Sequence, residues 1–149
     1  MRTKQAAQTV TLTSPSSAST AVGATLFKGS MFRAAEKLVI DADLTAGTGG
    51  ALDVYLQRKT ADNTWRDWVH FPQLTSGTSK KYSLVISGSG ASIVEVGGGS
   101  DATPGVGLAA NTAVDVIPGG DVRIVFVAGI GTAAGASNSI TITPYTERK

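Results

Sequence analysis

The sequence contains no cysteine and only one histidine, His70, and these absences exclude several kinds of chemistry. A chain without thiols has no disulfide framework, no thiolate zinc site and no cysteine nucleophile. A serine hydrolase would have His70 as its only base, and a lone histidine in an aromatic strand is more often structural. We therefore assign no catalytic, cofactor-binding or metal-binding residue, and we predict that the protein is not an enzyme.

Large apolar side chains and long apolar runs are also scarce. Aromatic residues make up 6% of the chain, and much of its 42% hydrophobic fraction is alanine and valine. The most apolar run, residues 124–136, is interrupted by glycines and is shorter than the about 20 residues of a membrane-spanning helix. Residues 1–14 lack the apolar segment of a secretory signal. We therefore predict a soluble protein with no membrane partner.

Charge is sparse and nearly balanced. Charged residues are 16% of the chain and the net charge is +2. The basic residues stand near the ends and in pairs such as Arg58–Lys59, whereas nucleic-acid binding requires a basic stripe interleaved with aromatic residues. Nucleic acid is therefore not predicted as a partner. Asp41, Asp43 and Asp53 alternate with apolar residues, which favours solvated strand faces, although a calcium site built from them stays open.

Short stretches of alternating apolar and polar residues recur between turn-forming segments, and no stretch has convincing helical periodicity. A chain of 149 residues fits one domain. About eight strands are predicted, the main ones at residues 8–13, 37–45, 52–57, 65–71, 82–86, 122–127 and 140–143, with shorter candidates at 24–28, 93–95 and 111–117. The pattern indicates an all-β fold, a single antiparallel β-sandwich of jelly-roll-like form.

The two ends of the chain carry further predictions. Residues 1–30 are rich in Ser, Thr and Ala, so we predict an extended N-terminal arm there and a β-sandwich domain in residues 31–149. Such an arm buries little surface, so it is either loosely ordered or held against another surface, such as another subunit. Pro144 is predicted to end the last strand, and the glycine-rich residues 129–135 to form a hairpin loop between the last two strands.

Residues 51–71 contain both tryptophans and are predicted to form a hairpin. Its first strand alternates between an apolar and a polar face, formed by Leu52, Val54 and Leu56 and by Asp53, Tyr55 and Gln57. Residues 60–64 are turn formers, and Asp62 and Asn63 among them tolerate a left-handed backbone. Strict alternation in the second strand would turn Asp67 inward with Trp65, and a bulge near Arg66 or Asp67 would resolve this conflict.

Two arrangements of the rings stay open. In the favoured one Trp65 and Phe71 anchor the core, while Trp68 and Tyr55 pair across the outer face of the hairpin and form a patch for a protein partner. In the alternative the rings form an exposed platform for sugars, typical of a carbohydrate-binding module; its members would be Trp65, Trp68, Tyr55 and Tyr82.

The hairpin also resembles a pattern found in small structural proteins of tailed bacteriophages. In that pattern a strand ends in a Gln-containing segment and is followed by a polar turn, a W-x-D element and then His-Phe. The matching residues are Leu52, Val54, Leu56, Gln57, Asp62, Trp65, Asp67, His70 and Phe71. Residues 122–127, with Arg123 following Gly119–Gly120–Asp121, are similar to a later strand of such proteins.

The resemblance implies a non-enzymatic virion component: a capsid decoration (cement) protein, or otherwise a neck or tail protein, assembled in many copies in the host cytoplasm. Its partners would be the major capsid protein or other virion proteins and copies of itself. The predicted partner contacts are Val10, Leu12 and Phe27 of the arm and Tyr55 and Trp68 of the hairpin. The competing function is a carbohydrate-binding β-sandwich module.

Overall fold

The computed structural model describes residues 2–4, 8–13, 19–32, 35–47, 51–75, 77–87, 112–115, 117–128 and 137–147. These residues form two antiparallel β-sheets and one 3-10 turn at Gly29–Phe32. Sheet A contains β1 (Arg2–Lys4), β2 (Gln8–Thr13), β4 (Lys37–Thr45), β7 (Ser79–Ile86) and β10 (Ser137–Glu147). Sheet B contains β3 (Ser19–Phe27), β5 (Leu52–Lys59), β6 (Trp65–His70), β8 (Thr112–Ala113) and β9 (Val122–Ala128). In the part of the chain so described, no helix has the length and apolar character needed to cross a membrane.

The strand order is that of a jelly roll. Sheet A runs β2–β10–β4–β7, with β1 pairing with β10 beyond the end of β2, and sheet B runs β3–β9–β5–β6–β8. Strands β2 to β7, β9 and β10 thus supply the eight strands of the two Greek keys of a jelly roll. The predicted all-β sandwich of jelly-roll-like form is confirmed.

The core lies between the sheets, where the alternation of β4 and β5 predicts it. The side chains of these strands that face the opposite sheet are at most 2% exposed, and they are Leu38, Ile40, Ala42, Leu44, Leu52, Val54 and Leu56. Strand β9 lies in the middle of sheet B, and its residues 124–126 are fully buried. The apolar residues on both sides of β9 therefore predict its central position correctly.

The hairpin of β5 and β6 is present, but the two tryptophans are exchanged relative to the prediction. Its turn contains Asn63 with a φ of 67°, the left-handed backbone expected of a turn former. Phe71, 2% exposed, is a core residue as predicted. Trp68 is 1% exposed and also lies in the core, whereas Trp65 is partly exposed on the outer side of sheet B. The predicted outer pair of Trp68 with Tyr55 is therefore wrong.

A bulge in β6 causes this exchange. Leu56 pairs with Val69 and Gln57 pairs with Asp67, so one residue of β6, Trp68, has no partner in β5. The extra residue shifts the alternation and turns Trp68 inward. The predicted bulge therefore exists, next to Asp67 as expected, but it changes the orientation of Trp68 as well as that of Asp67.

In its described residues, the predicted N-terminal arm contains three strands, which are spread over both sheets. The strand predicted at residues 8–13 is confirmed as β2, and the candidate at residues 24–28 falls at the end of β3. Strand β1 pairs with β10 from Arg2 opposite Glu147, β2 pairs with the other end of β10, and β3 pairs with β9. Ser, Thr and Ala give little hydrophobic alternation, but their backbone N–H and C=O groups still need partners and find them along the neighbouring strands of this chain.

Two predictions about the last strands are also wrong. Strand β10 continues through Pro144 to Glu147. Pro144 lies between Ile142, where the pairing with β2 ends, and Tyr145, where the pairing with β1 begins, so its missing N–H interrupts neither ladder. Strands β9 and β10 belong to different sheets, so the connection between them is not a hairpin. The candidate strand at residues 93–95 lies outside the described residues.

Candidate binding face

The side of sheet B that faces away from sheet A carries a group of aromatic and planar polar side chains. Strand β5 contributes every second residue because successive side chains of a strand point to opposite sides. The register then sets residues of β6 and β9 beside them. We call this group the outer face; its members are Asp53, Tyr55, Gln57, Lys59, Trp65, Asp67, His70 and Arg123.

Gln57 and Asp67 form the base of the outer face. They are opposite each other in register, both are fully buried, and Gln57 Nε2 donates to Asp67 Oδ1 over 2.9 Å. On the other side, Arg123 Nε donates to Gln57 Oε1 over 2.9 Å. Both ends of the buried amide are satisfied, so the Gln57 side chain is fixed in one orientation.

Trp65 and Arg123 form a stack beside this base. The guanidinium carbon of Arg123 lies 4.3 Å from the centroid of the Trp65 ring, and Lys59 Nζ lies 5.7 Å from the same ring. Both distances are within the about 6 Å over which a cation is attracted to an aromatic face. Arg123 is thus held by Gln57 and by Trp65, which fixes its planar group at the surface.

Tyr55 and His70 form a second stack, with ring centroids 3.9 Å apart and an interplanar angle of 20°. His70 Nε2 lies 3.3 Å from Asp53 Oδ1, and Gln73 Nε2 donates to Asp53 Oδ2 over 2.8 Å. The hydrogen bond with His70 lowers the pKa of Asp53, although partial burial opposes it. Burial, reinforced by the charges of Asp53 and Asp67, raises the pKa of Tyr55 to about 12.

The raised pKa of Tyr55 predicts a loss of stability in alkali. An unfolded tyrosine ionises near pH 10, whereas folded Tyr55 keeps its proton to about pH 12. Between these values the unfolded state binds fewer protons, so the free energy of unfolding falls as pH rises. In urea unfolding at pH 10 to 12, the free energy of unfolding of Tyr55→Phe is therefore expected to fall less with rising pH than that of the wild type. Tyr145→Phe, on sheet A, is the control, in which the contribution of Tyr55 is unchanged. An identical dependence of the free energy of unfolding on pH in Tyr55→Phe and the wild type would contradict the assignment of this fall to Tyr55.

The outer side of sheet A has a different chemistry. A shallow groove of about 430 Å³ lies over it, lined mostly by hydroxyl and charged side chains. Asp41 accepts from Ser83 Oγ over 2.7 Å, and Asp43 lies 3.4 Å from Lys81 Nζ. Asp53 lies on the other sheet, so the three carboxylates considered for calcium do not meet. Within the described residues, no cluster of metal-binding side chains occurs.

The five predicted partner contacts lie in different parts of the fold. Phe27 is 3% exposed and Trp68 is 1% exposed, so neither side chain is available to a partner. Phe27 packs inward at the end of β3, and Trp68 is turned inward by the bulge. Val10 and Leu12 lie on β2, whose backbone pairs with β10, and contact through them stays a prediction. Tyr55 lies on the outer face.

The sequence patterns assigned no binding role to Gln57, Asp67 and Arg123. A signal exists for two of them: Gln57 shares the polar side of β5 with Tyr55, and Arg123 is the single charged residue of the apolar strand β9. Asp67 has no such signal, because the bulge decides where its side chain points.

No family model and no curated protein matches this sequence. Among solved structures, the N-terminal cellulose-binding domain of Cellulomonas fimi β-1,4-glucanase C is 15% identical with a TM-score of 0.41, over 95% of this chain and 80% of that one. A structure described as CBM4 is 14% identical with a TM-score of 0.34, over 91% of this chain and 78% of that one. An exo-β-agarase is 12% identical with a TM-score of 0.40, over 95% of this chain and 22% of that one. Similarity at this level transfers neither ligand nor activity to this chain.

Proposed function

We propose that this chain is a non-enzymatic binding module that holds a carbohydrate chain on the outer face of sheet B. One observation carries the proposal: the partly exposed rings of Trp65 and Tyr55 flank a polar base in which Gln57 and Arg123 are held by hydrogen bonds and stacking. Rings and planar polar groups thus share one sheet face.

Sugar rings match such a face. A pyranose presents a flat face of C–H groups and a rim of hydroxyls. Aromatic side chains offer a rigid, amphipathic surface for the flat face of C–H groups, and they lose little conformational entropy on binding. The planar guanidinium of Arg123 can form hydrogen bonds with the rim of hydroxyls. Because Arg123 is already held by the buried amide of Gln57, the entropy cost of ordering it at the moment of binding is small.

The only histidine supports binding rather than catalysis. His70 is 7% exposed, stacks on Tyr55 and lies within hydrogen-bonding distance of Asp53. These contacts use both its ring face and Nε2 in the structure of the outer face. We therefore place His70 among the groups that position Tyr55.

Tryptophan fluorescence tests the proposal, because one tryptophan lies on the outer face and the other in the core. Titration of the wild type with a panel of soluble polysaccharides is expected to shift or quench the emission. Trp65→Phe removes the tryptophan in the site, so the spectral response is expected to disappear and affinity to fall about tenfold, the loss typical of one aromatic contact.

Trp68→Phe is the matched control. It removes the core tryptophan and keeps Trp65, so the ligand-dependent change in emission is expected to persist. A response that survives in Trp65→Phe and disappears in Trp68→Phe would contradict a site on the outer face. Absence of any response to every polysaccharide, with the wild type folded, would reject the carbohydrate proposal.

A second candidate, the virion structural protein implied by the phage resemblance, is favoured by the edge of sheet A. Strand β7 is the last strand on its side, and among the described residues no strand pairs with its outer edge. Its exposed residues include Lys80, Lys81 and Val85, the last 56% exposed. An open edge of this kind accepts a strand from a neighbouring protein. Co-sedimentation with assembled capsids, without any fluorescence response to polysaccharides, would favour this candidate over the first.

A further inference from the structure

A pocket of about 310 Å³ lies at the turn end of the β5–β6 hairpin, away from the Tyr55 stack. It is lined by Arg58, Lys59, Thr60, Ala61, Gly119 and Gly120. Arg58 is the feature of this pocket that the outer face does not explain. It follows Leu56 on the inner side of β5, at the end of the sandwich, where it is opposite Arg66 and Val122 in register.

One nitrogen of the Arg58 guanidinium lacks a hydrogen-bond partner. Its Nε is buried and has no hydrogen-bond partner among the described residues. Burial lowers the pKa of Arg58, and no carboxylate contributes to the shift. The nearby carboxylates are occupied: Asp62 binds Thr60 and Thr64, and Asp121 accepts from Gly29 N over 3.0 Å and from Lys28 Nζ over 3.2 Å. Arg58 as a whole is half-buried, but a buried N–H group without a partner is costly, so its retention needs an explanation.

The wall of the pocket is fixed by close backbone approaches. A Cβ atom on Gly120 would lie 2.2 Å from the carbonyl oxygen of Lys59, and one on Gly29 would lie 2.7 Å from Gly119 and Gly120. Lys59 N donates to the carbonyl oxygen of Asp121 over 2.8 Å. The glycine turn is therefore held close against β5. Gly119 differs, because a Cβ there would meet nothing within 4 Å.

We propose that this pocket binds a tetrahedral oxyanion through Arg58, and that the anion is a sulfate ester on the bound carbohydrate chain. A guanidinium matches an oxyanion because its parallel N–H groups reach two oxygens at once. Lys59 links the pocket to the outer face, since its ammonium also lies over Trp65. The assignment of the anion to a glycan rests on the proposed function, whereas the anion site itself stands on the pocket.

Inorganic sulfate and phosphate are the first probes, with chloride at the same ionic strength as reference, because general screening must be held constant. Sulfate is expected to raise the melting temperature of the wild type relative to chloride, since a ligand that binds only the folded state stabilises it. Part of this rise is general, because sulfate stabilises folded proteins by exclusion from their surface. Arg58→Leu should show a smaller rise than the wild type and bind sulfate about tenfold or more weakly by calorimetry, the loss typical of a hydrogen bond to a charged group.

Three variants separate binding from folding. Arg58→Leu removes an uncompensated charge, so it is expected to melt no lower than the wild type without sulfate. Gly119→Glu adds a carboxylate at a position that lines the pocket and where a Cβ would meet nothing within 4 Å, and it should also reduce the response to sulfate. Lys80→Gln removes an exposed charge from β7 and should leave the response unchanged. Equal responses in Arg58→Leu and the wild type would overturn the site, as would an equal loss in Lys80→Gln.

Polysaccharides then distinguish the source of the anion. Dextran sulfate is expected to bind the wild type at least about tenfold more tightly than neutral dextran does. In Arg58→Leu the two polymers are expected to bind with equal affinity. A response to inorganic sulfate without any preference for the sulfated polymer would overturn the glycan assignment. Binding of neutral polymers that Arg58→Leu leaves unchanged, with no response to sulfate, would retain the proposed function and reject the anion pocket.

Discussion

Trp68→Ala is expected to lower the free energy of unfolding by about 3–5 kcal/mol, the range for removing a buried aromatic side chain from a core. Trp68 is 1% exposed and is the largest of the fully buried side chains. The other large rings in the core are those of the four phenylalanines, Phe27, Phe32, Phe71 and Phe126. Because small domains are stabilised by only about 5–15 kcal/mol in total, the variant is expected to be marginally folded. Urea unfolding followed by circular dichroism measures the change without depending on tryptophan emission.

Trp65→Ala is the matched control for this prediction. Trp65 is partly exposed, so its removal costs some packing and the cation–π contact with Arg123, together about 1 kcal/mol. The ratio of the two effects tests the bulge directly, because strict alternation would bury Trp65 and expose Trp68. A larger loss for Trp65→Ala than for Trp68→Ala would show that the register of β6 is different.

Asp67→Ala is expected to cost about 3 kcal/mol. The Asp67 carboxylate is fully buried and accepts from Gln57 Nε2 over 2.9 Å. Its loss leaves the buried amide donor of Gln57 unsatisfied, which destabilises the folded state. The measurement is the urea midpoint at constant m-value, which reports stability rather than a change in compactness.

Asp67→Asn separates the hydrogen bond from the charge. The asparagine keeps an oxygen in the place of Oδ1, so the bond from Gln57 survives and the expected loss is about 1 kcal/mol. A double-mutant cycle with Gln57→Ala should show a coupling energy of at least about 1 kcal/mol, because the two side chains are in direct contact. Additive effects would mean that the amide and the carboxylate do not interact.

Hydrophobic alternation predicts the parts of this fold in which each strand buries one side. It places the inward side chains of β4 and β5 correctly, and it identifies β9 as central from its apolar residues on both sides. It fails for β6, because a single extra residue exchanges Trp65 and Trp68 and no local pattern fixes the position of a bulge. It identifies β2 at residues 8–13, but elsewhere in residues 1–30 it marks only the end of β3, because Ser, Thr and Ala pair there through the backbone and leave little hydrophobic signal.

The outer face could be predicted in part. Tyr55 and Gln57 lie on the same side of β5 by alternation alone. Their neighbours come from strands distant in sequence, and the register of β5 with β9 sets Arg123 beside Gln57. The stack of Arg123 on Trp65 requires both this register and the bulge. Long-range pairing of this kind is a property of the assembled sheet, and a strand pattern does not contain it.

The pairing of both ends of the chain with each other bears on how the protein is made. Arg2 lies opposite Glu147 and Thr13 opposite Ser137, so β1 and β2 can join sheet A only after β10 has been synthesised. A ribosome adds about 5–20 residues each second, so the first strands wait for seconds without their partner. During that time their backbone groups are open to other chains. We therefore expect slow folding, dominated by this last closure, and a yield that improves at low expression level, when fewer unfinished chains are present together.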